Sequence, residues 1–216
     1  MGRTRIVEAL ILKAYDIGDA DRLCVLLTRS EGRLAVAAKG VRRAKSRSSG
    51  AVQSFQHVRL ELAEHSSGLY LRSAECLSPF MALRNDPRCF AAASQGSELL
   101  LRFLHDTDPH ESLFLLALAY FRCCDAGPTP LLLPTFQLSL LRELGLLPTF
   151  ASSFDSSPLS SSLRAYLTSR QSLTERAVAN ISPTDQRVLD ALCRQLLSYH
   201  LSAPLRSTAS AAALSK

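Results

Sequence analysis

The spacing of apolar residues changes once along this chain, from every second position before Pro79 to about every 3.6 after it, so a sheet part must precede a helical part. Before the switch, Ile6 to Ala14, Asp21 to Thr28 and Leu34 to Lys39 are rich in Val, Ile and Leu and read as strands. Ser30, Glu31 and Gly32, between the second and third, supply the glycine of a tight hairpin. Phe55 to Ala63 alternates, with Val58, Leu60 and Leu62 on one face and His57, Arg59 and Glu61 on the other. Gly68 opens a fifth strand, Leu69 to Cys76. Five short strands predict a small closed barrel, and the long third-to-fourth connection favours an OB-fold. The fold class is α+β, with an OB-fold domain over 1–79 and an all-helical domain over 80–206.

Three helix starts in the second part use a capping side chain followed by proline: Asp86-Pro87, Asp108-Pro109 and Ser182-Pro183. Glu111 stands where it would complete a capping box with Asp108. The expected helices are Pro87 to His105, Pro109 to Asp125, Pro134 to Leu144 and Pro183 to Leu201, the last with a stripe of Leu189, Leu192, Cys193, Leu196 and Leu197. Seven serines among residues 151–162 predict a flexible connection, and 207–216 reads as a disordered tail.

The net charge of +6 is placed unevenly: residues 1–80 hold 13 Lys and Arg against 8 Asp and Glu, and the remainder 12 against 11. Five of the cations, Lys39, Arg42, Arg43, Lys45 and Arg47, fall in the third-to-fourth connection, with no acidic residue between Arg33 and Leu60. A basic run held at both ends by a sheet suits a polyanion backbone. Membrane is disfavoured because no apolar run approaches the roughly 20 residues of a spanning helix. No signal peptide is read at the start, since Glu8 interrupts the apolar stretch, so a cytoplasmic protein is expected. The six cysteines include no CxxC pair and read as buried free thiols, the vicinal Cys123 and Cys124 included.

Little points to catalysis. Asp16, Asp19 and Asp21 lack the glycine position and bidentate Glu of a calcium loop. His105, Asp106, Asp108, His110 and Glu111 are the densest cluster of candidate metal ligands, but helix capping accounts for Asp108 and Glu111. No Gly-rich phosphate loop, GxSxG elbow or HExxH motif occurs. The chain reads as a binding protein, not an enzyme.

Three N-terminal segments, Tyr15 to Arg22 (YDIGDADR), Leu27 to Arg33 (LTRSEGR) and Ala38 to Arg47 (AKGVRRAKSR), resemble the N-terminal pattern of the RecO family of bacterial recombination mediators. Phe136 to Pro148 (FQLSLLRELGLLP) and His200 to Ser207 (HLSAPLRS) are similar to its C-terminal landmarks. The resemblance implies an OB-fold and a helical domain, binding to single- and double-stranded DNA, and annealing of complementary strands. It also implies work with RecR, and with single-stranded-DNA-binding protein (SSB), in loading recombinase on coated DNA at the bacterial nucleoid. Many family members carry a four-cysteine zinc site after the LGLLP-type segment; here no cysteine lies between Asp125 and Leu192, so neither metal nor another cofactor is expected.

On this reading Lys39, Arg42, Arg43, Lys45 and Arg47 contact phosphates, and Arg59 on the fourth strand extends their track. Tyr70 or His57 would offer a base-stacking surface. Arg102, Arg122 and Arg142, on three different helices, would frame a groove for the acidic C-terminal tail of SSB. Two other readings stand beside it: an RNA- or ribosome-binding OB-fold protein, and a metal-dependent hydrolase built on His105 to Glu111.

Overall fold

The computed structural model describes residues 3–46, 48–106, 108–147, 160–169, 171–177, 179 and 181–201. Five strands, β1 (Thr4–Ile17), β2 (Asp21–Thr28), β3 (Gly32–Ala38), β4 (His57–His65) and β5 (Gly68–Ser78), close into a barrel in the order β1-β2-β3-β5-β4. All pairs are antiparallel except β3 with β5, which is parallel through Val36↔Leu69 and Ala37↔Tyr70. This is the OB-fold arrangement expected from the strand count. Strand alternation fills the interior with Val7, Ala9, Ile11, Cys24, Leu26, Val36, Val58, Leu60 and Leu62.

Two departures from simple alternation shape the outside. β1 runs past Ala14, pairing Tyr15, Asp16 and Ile17 with Leu23, Arg22 and Asp21 before Gly18 turns the chain at φ +53°. The pairing slips between Ile11 and Lys13, a bulge that shifts the alternation by one residue and brings Ala14 back against the barrel core. Ile11 enters the barrel, whereas Leu10 and Leu12 join Leu27 and Phe55 in a second core with the helices. Each fully buried leucine there contributes about 2 kcal/mol. The barrel's outer face is thus part of the helical core, and the two expected domains share it.

The helices are α1 (Ala82–Asn85), α2 (Pro87–Phe103), α3 (Glu111–Ala126), α4 (Leu132–Glu143), α5 (Ser161–Thr168), α6 (Leu173–Ala177) and α7 (Pro183–His200) among the described residues. Asp86 caps α2 by accepting from the Arg88 N–H at 2.8 Å, and Ser182 caps α7 by accepting from the Asp185 N–H at 3.0 Å, each ahead of a proline. The Asp108 cap does not form. Helix α3 starts at Glu111 behind His110, because Glu111 reaches Arg29 at 2.7 Å, Asp108 pairs with His110 at 3.0 Å, and the Asp108 backbone lies against Gly32. Helix α4 begins two residues earlier than expected, at Leu132, and Pro134 occupies its first turn.

The expected flexible connection lies outside the described residues from 151 to 159, and its end is corrected: 160–162 open helix α5. Ser160 accepts from the Leu163 N–H, and both Ser160 and Ser162 donate to Asp185 of α7, at 2.6 and 2.9 Å. Serine there is an anchor. The expected tail, 207–216, lies outside the described residues. Hydrogen bonds from Ser160 and Ser162 hold the Asp185 carboxyl below its ordinary value. A carboxyl depressed on folding adds stability above its unfolded value and loses it as the pH falls. Asp185→Ala should lower the thermal midpoint at pH 7, and the gap to the parent protein should close on acidification through about pH 4. Melting curves at both pH values check this.

Candidate nucleic-acid interface

The connection from β3 to β4, residues 39–56, carries the basic run and is packed down near both ends, at Val41 and from Ala51 to Gln56. Val41 and Val52, 3% and 2% exposed, enter the barrel core and close its end. Gly40 turns the chain at φ +66° and donates its N–H to Asp21 Oδ1 at 2.7 Å. At the far end Phe55 sits at φ +64°, a left-handed strain of about 1–2 kcal/mol. It is held by its N–H to Ile11 O at 2.7 Å and by ring contacts to Phe90 and Phe121.

The five cations of the run have different environments. The Arg42 N–H bonds Ala20 O at 2.9 Å, its Nη1 donates to Gly18 O at 2.9 Å, and its Nε lies 3.4 Å from Asp16 Oδ2. Asp16 also accepts from Arg22 Nε at 2.7 Å, which holds its carboxyl below the usual range, and Arg22 Nη1 donates to Val52 O at 2.6 Å. Arg42 is therefore a fastener between the loop and the β1–β2 hairpin, compensated by an acid 26 residues upstream that no local count of charges would pair with it. Lys39, Arg43 and Lys45 are exposed and have no ion pair among the described residues. Arg47 lies outside the described residues.

Lys39 Nζ stands 4.6 Å above the Tyr70 ring, so Tyr70 belongs to this surface, while His57 does not. His57 is buried, bonded through Nε2 to Glu8 at 2.9 Å and covered by Phe114 of α3. Its position on the outward side of β4 is the side the helices occupy. Arg59 is paired with Glu75 at 3.0 Å, and the β4–β5 register sets it four residues, roughly 13 Å, from the pair that holds Tyr70. It does not continue the track. Sequence reasoning missed Lys13 and Tyr15, because it ends the first strand at Ala14; the alternation Lys13, Tyr15, Ile17 is the available signal.

The three helical arginines are not brought together. Tyr120 of α3 donates to Ala92 O near the start of α2 at 2.6 Å, so the two helices run antiparallel. Arg102, ten residues beyond Ala92 and paired with Glu98 at 2.9 Å, is thus roughly 15 Å along α2 from the end where Arg122 is exposed. Arg142 donates to Leu167 O at 3.1 Å and Ser169 O at 3.4 Å, satisfying the end of α5. Beside it Arg176 is 1% exposed, stacked 4.8 Å over Tyr166, with Nε and Nη2 lacking an acceptor among the described residues.

The His105 to Glu111 cluster is dispersed: Asp106 pairs with Arg33 at 2.7 Å, Glu111 with Arg29 and Asp108 with His110. Among the described residues no group of three or more His, Cys, Asp or Glu is placed to hold a metal. All six cysteines are free thiols, and burial pushes Cys193 up to about 12 and Cys24 up to about 11. No described helix is long and apolar enough to cross a membrane.

Comparison with known proteins divides the chain where its periodicity does. Residues 1–80 match the family model described as Recombination protein O N terminal, and residues 84–162 the one described as Recombination protein O C terminal. The chain is 38% identical over 149 residues to the DNA repair protein RecO of Myxococcus xanthus, covering 67% of this chain and 60% of that protein. It is 36% identical over 151 residues to that of Anaeromyxobacter sp. (strain K), covering 68% and 59%. With the relative from Symbiobacterium thermophilum it shares 35% over 148 residues, covering 67% and 58%. The matched region thus spans about three fifths of these curated relatives.

Proposed function

Because the chain belongs to the Recombination protein O family, we propose that it is a DNA repair and recombination mediator that binds single- and double-stranded DNA and anneals complementary strands. It would do so with RecR on strands coated by SSB, assisting recombinase loading at the nucleoid. The observation that carries this reading is a set of cations without an ion pair among the described residues, Lys39, Arg43 and Lys45, on a loop pinned at both ends by Gly40 and Phe55. Annealing requires two polyanions to approach, and cations that release counterions lower their repulsion. Contacts to phosphate carry no base information, so strands can slide into register while held. A pinned loop presents those charges without first having to be ordered.

For the partner tail, the surroundings of Arg142 support one placement above the others. Arg142 is exposed there, and its fork could take a terminal carboxylate in place of the Ser169 carbonyl that it holds at 3.4 Å. Arg102 and Arg122 are too far apart to act with each other. The test is a strand-annealing assay on naked and SSB-coated DNA, with and without RecR. The protein should accelerate annealing on both, and Arg142→Glu should impair only the coated reaction. Absence of annealing on naked strands would refute the mediator reading, and equal impairment on both substrates would remove Arg142 from the tail site.

A further inference from the structure

We infer that the open half of the barrel's outer face is a shallow site for the unstacked bases of a single strand, with Tyr15 and Tyr70 as its walls; this rests on the DNA-binding reading above. The strand register places four side chains in one row: Tyr15↔Leu23, Leu23↔Ala37 and Ala37↔Tyr70. Directly opposed residues share a face, and three inter-strand steps separate the tyrosines by roughly 14 Å. The adjacent row is Lys13↔Val25 and Val25↔Ala35. The neighbours Ala14, Cys24, Val36 and Leu69 point into the barrel, so both rows face outward.

Outward strand positions on a free surface are ordinarily polar. Here the floor is Leu23, Val25, Ala35 and Ala37, and its side chains are short or apolar throughout. In the next row along, Leu10 opposite Leu27 joins the core shared with the helices, and the row ends on Arg33, which pairs with Asp106. This one is more open: Tyr15 is 44% exposed and Ala35 is exposed, with Leu23, Val25, Ala37 and Tyr70 half-buried. Each tyrosine carries a lysine, Lys13 Nζ 4.9 Å over Tyr15 and Lys39 Nζ 4.6 Å over Tyr70, and neither lysine has an ion pair among the described residues. Of the acids at this edge, Asp16 and Asp21 are engaged by Arg22, Arg42 and the Gly40 N–H, which leaves Asp19 in the turn between β1 and β2.

An occupant must therefore combine flat apolar surface with regularly spaced negative charge. A single strand does, laying bases on the tyrosines and phosphates along the lysines and the adjoining loop. A duplex keeps its bases stacked inside and can use only the loop. The face would distinguish the two.

The test is fluorescence anisotropy with labelled oligothymidylate and with a matched duplex, using the full chain. Tyr15→Ala with Tyr70→Ala should weaken oligothymidylate binding about 25-fold, leave duplex affinity nearly unchanged, and keep the salt slope. Phe at both positions should preserve binding. Since the chain contains no tryptophan, its emission comes from tyrosine, and oligothymidylate should quench it less in the double variant. Unchanged single-strand affinity in the Ala variant, while Arg43→Ala with Lys45→Ala still weakens binding, would overturn the site and leave the DNA reading standing. An equal loss for single strand and duplex would make the face a phosphate contact and overturn it too. If the parent protein binds neither probe, both readings fall.

Discussion

Gly32→Ala should destabilise the protein by about 3 kcal/mol, lowering the thermal midpoint by about 9 °C. Two separate costs combine. Gly32 lies at φ +70°, where a Cβ costs about 1–2 kcal/mol, and an added Cβ would sit 2.3 Å from the Asp108 carbonyl oxygen. That neighbour is backbone, so the approach of Asp108 to the barrel must loosen, and with it the Arg33–Asp106 and Arg29–Glu111 pairs. Gly18→Ala is the control: φ is +53° but nothing lies within 4 Å of the added carbon, so only the backbone cost should appear. Urea titration of both variants gives the difference. Equal losses would mean that the approach of Asp108 does not constrain the fold.

Replacing Lys39, Arg43 and Lys45 together by alanine should weaken single-strand binding on the order of 50-fold at physiological salt, by a similar factor for every sequence. The logarithmic salt slope should fall by about 0.7 for each phosphate no longer neutralised, or roughly 2 for the three. Arg42→Ala should behave differently. Its charge is engaged by Asp16 and Gly18, so the expected result is a looser loop and a lower midpoint, with a smaller change of slope than Arg43→Ala gives. Titrations at several salt concentrations separate these outcomes, and an unchanged slope in the triple variant would place the DNA-binding surface elsewhere.

How far the sequence carried depended on the distance over which each feature is determined. Strand alternation and proline-preceded caps are local, so the barrel and helices α2 and α7 were legible to within a few residues. His57 was not, because what covers it is Phe114, far along the chain and on another element. Arg42 looked uncompensated for the same reason, and Asp108 looked like a cap until Gly32 and Arg29 drew its neighbourhood to the barrel. The serine run predicted mobility by composition, yet the single carboxylate of Asp185 is enough to seat its last residues. At the candidate interface the loop was found and its anchoring was not. The row from Tyr15 to Tyr70 required a register that links three separate pairings.

The cover that the helices give Leu10 and Leu12, on the outer side of β1, also decides how this protein can be dissected. A fragment cut after Ser78 would keep every strand of the barrel but bare Leu10, Leu12, Leu27 and Phe55 to water, which is an invitation to clump. Anyone wanting the basic loop in isolation would do better to keep the chain through α4, or to replace those outward residues with polar ones, than to trust a boundary drawn where the periodicity changes.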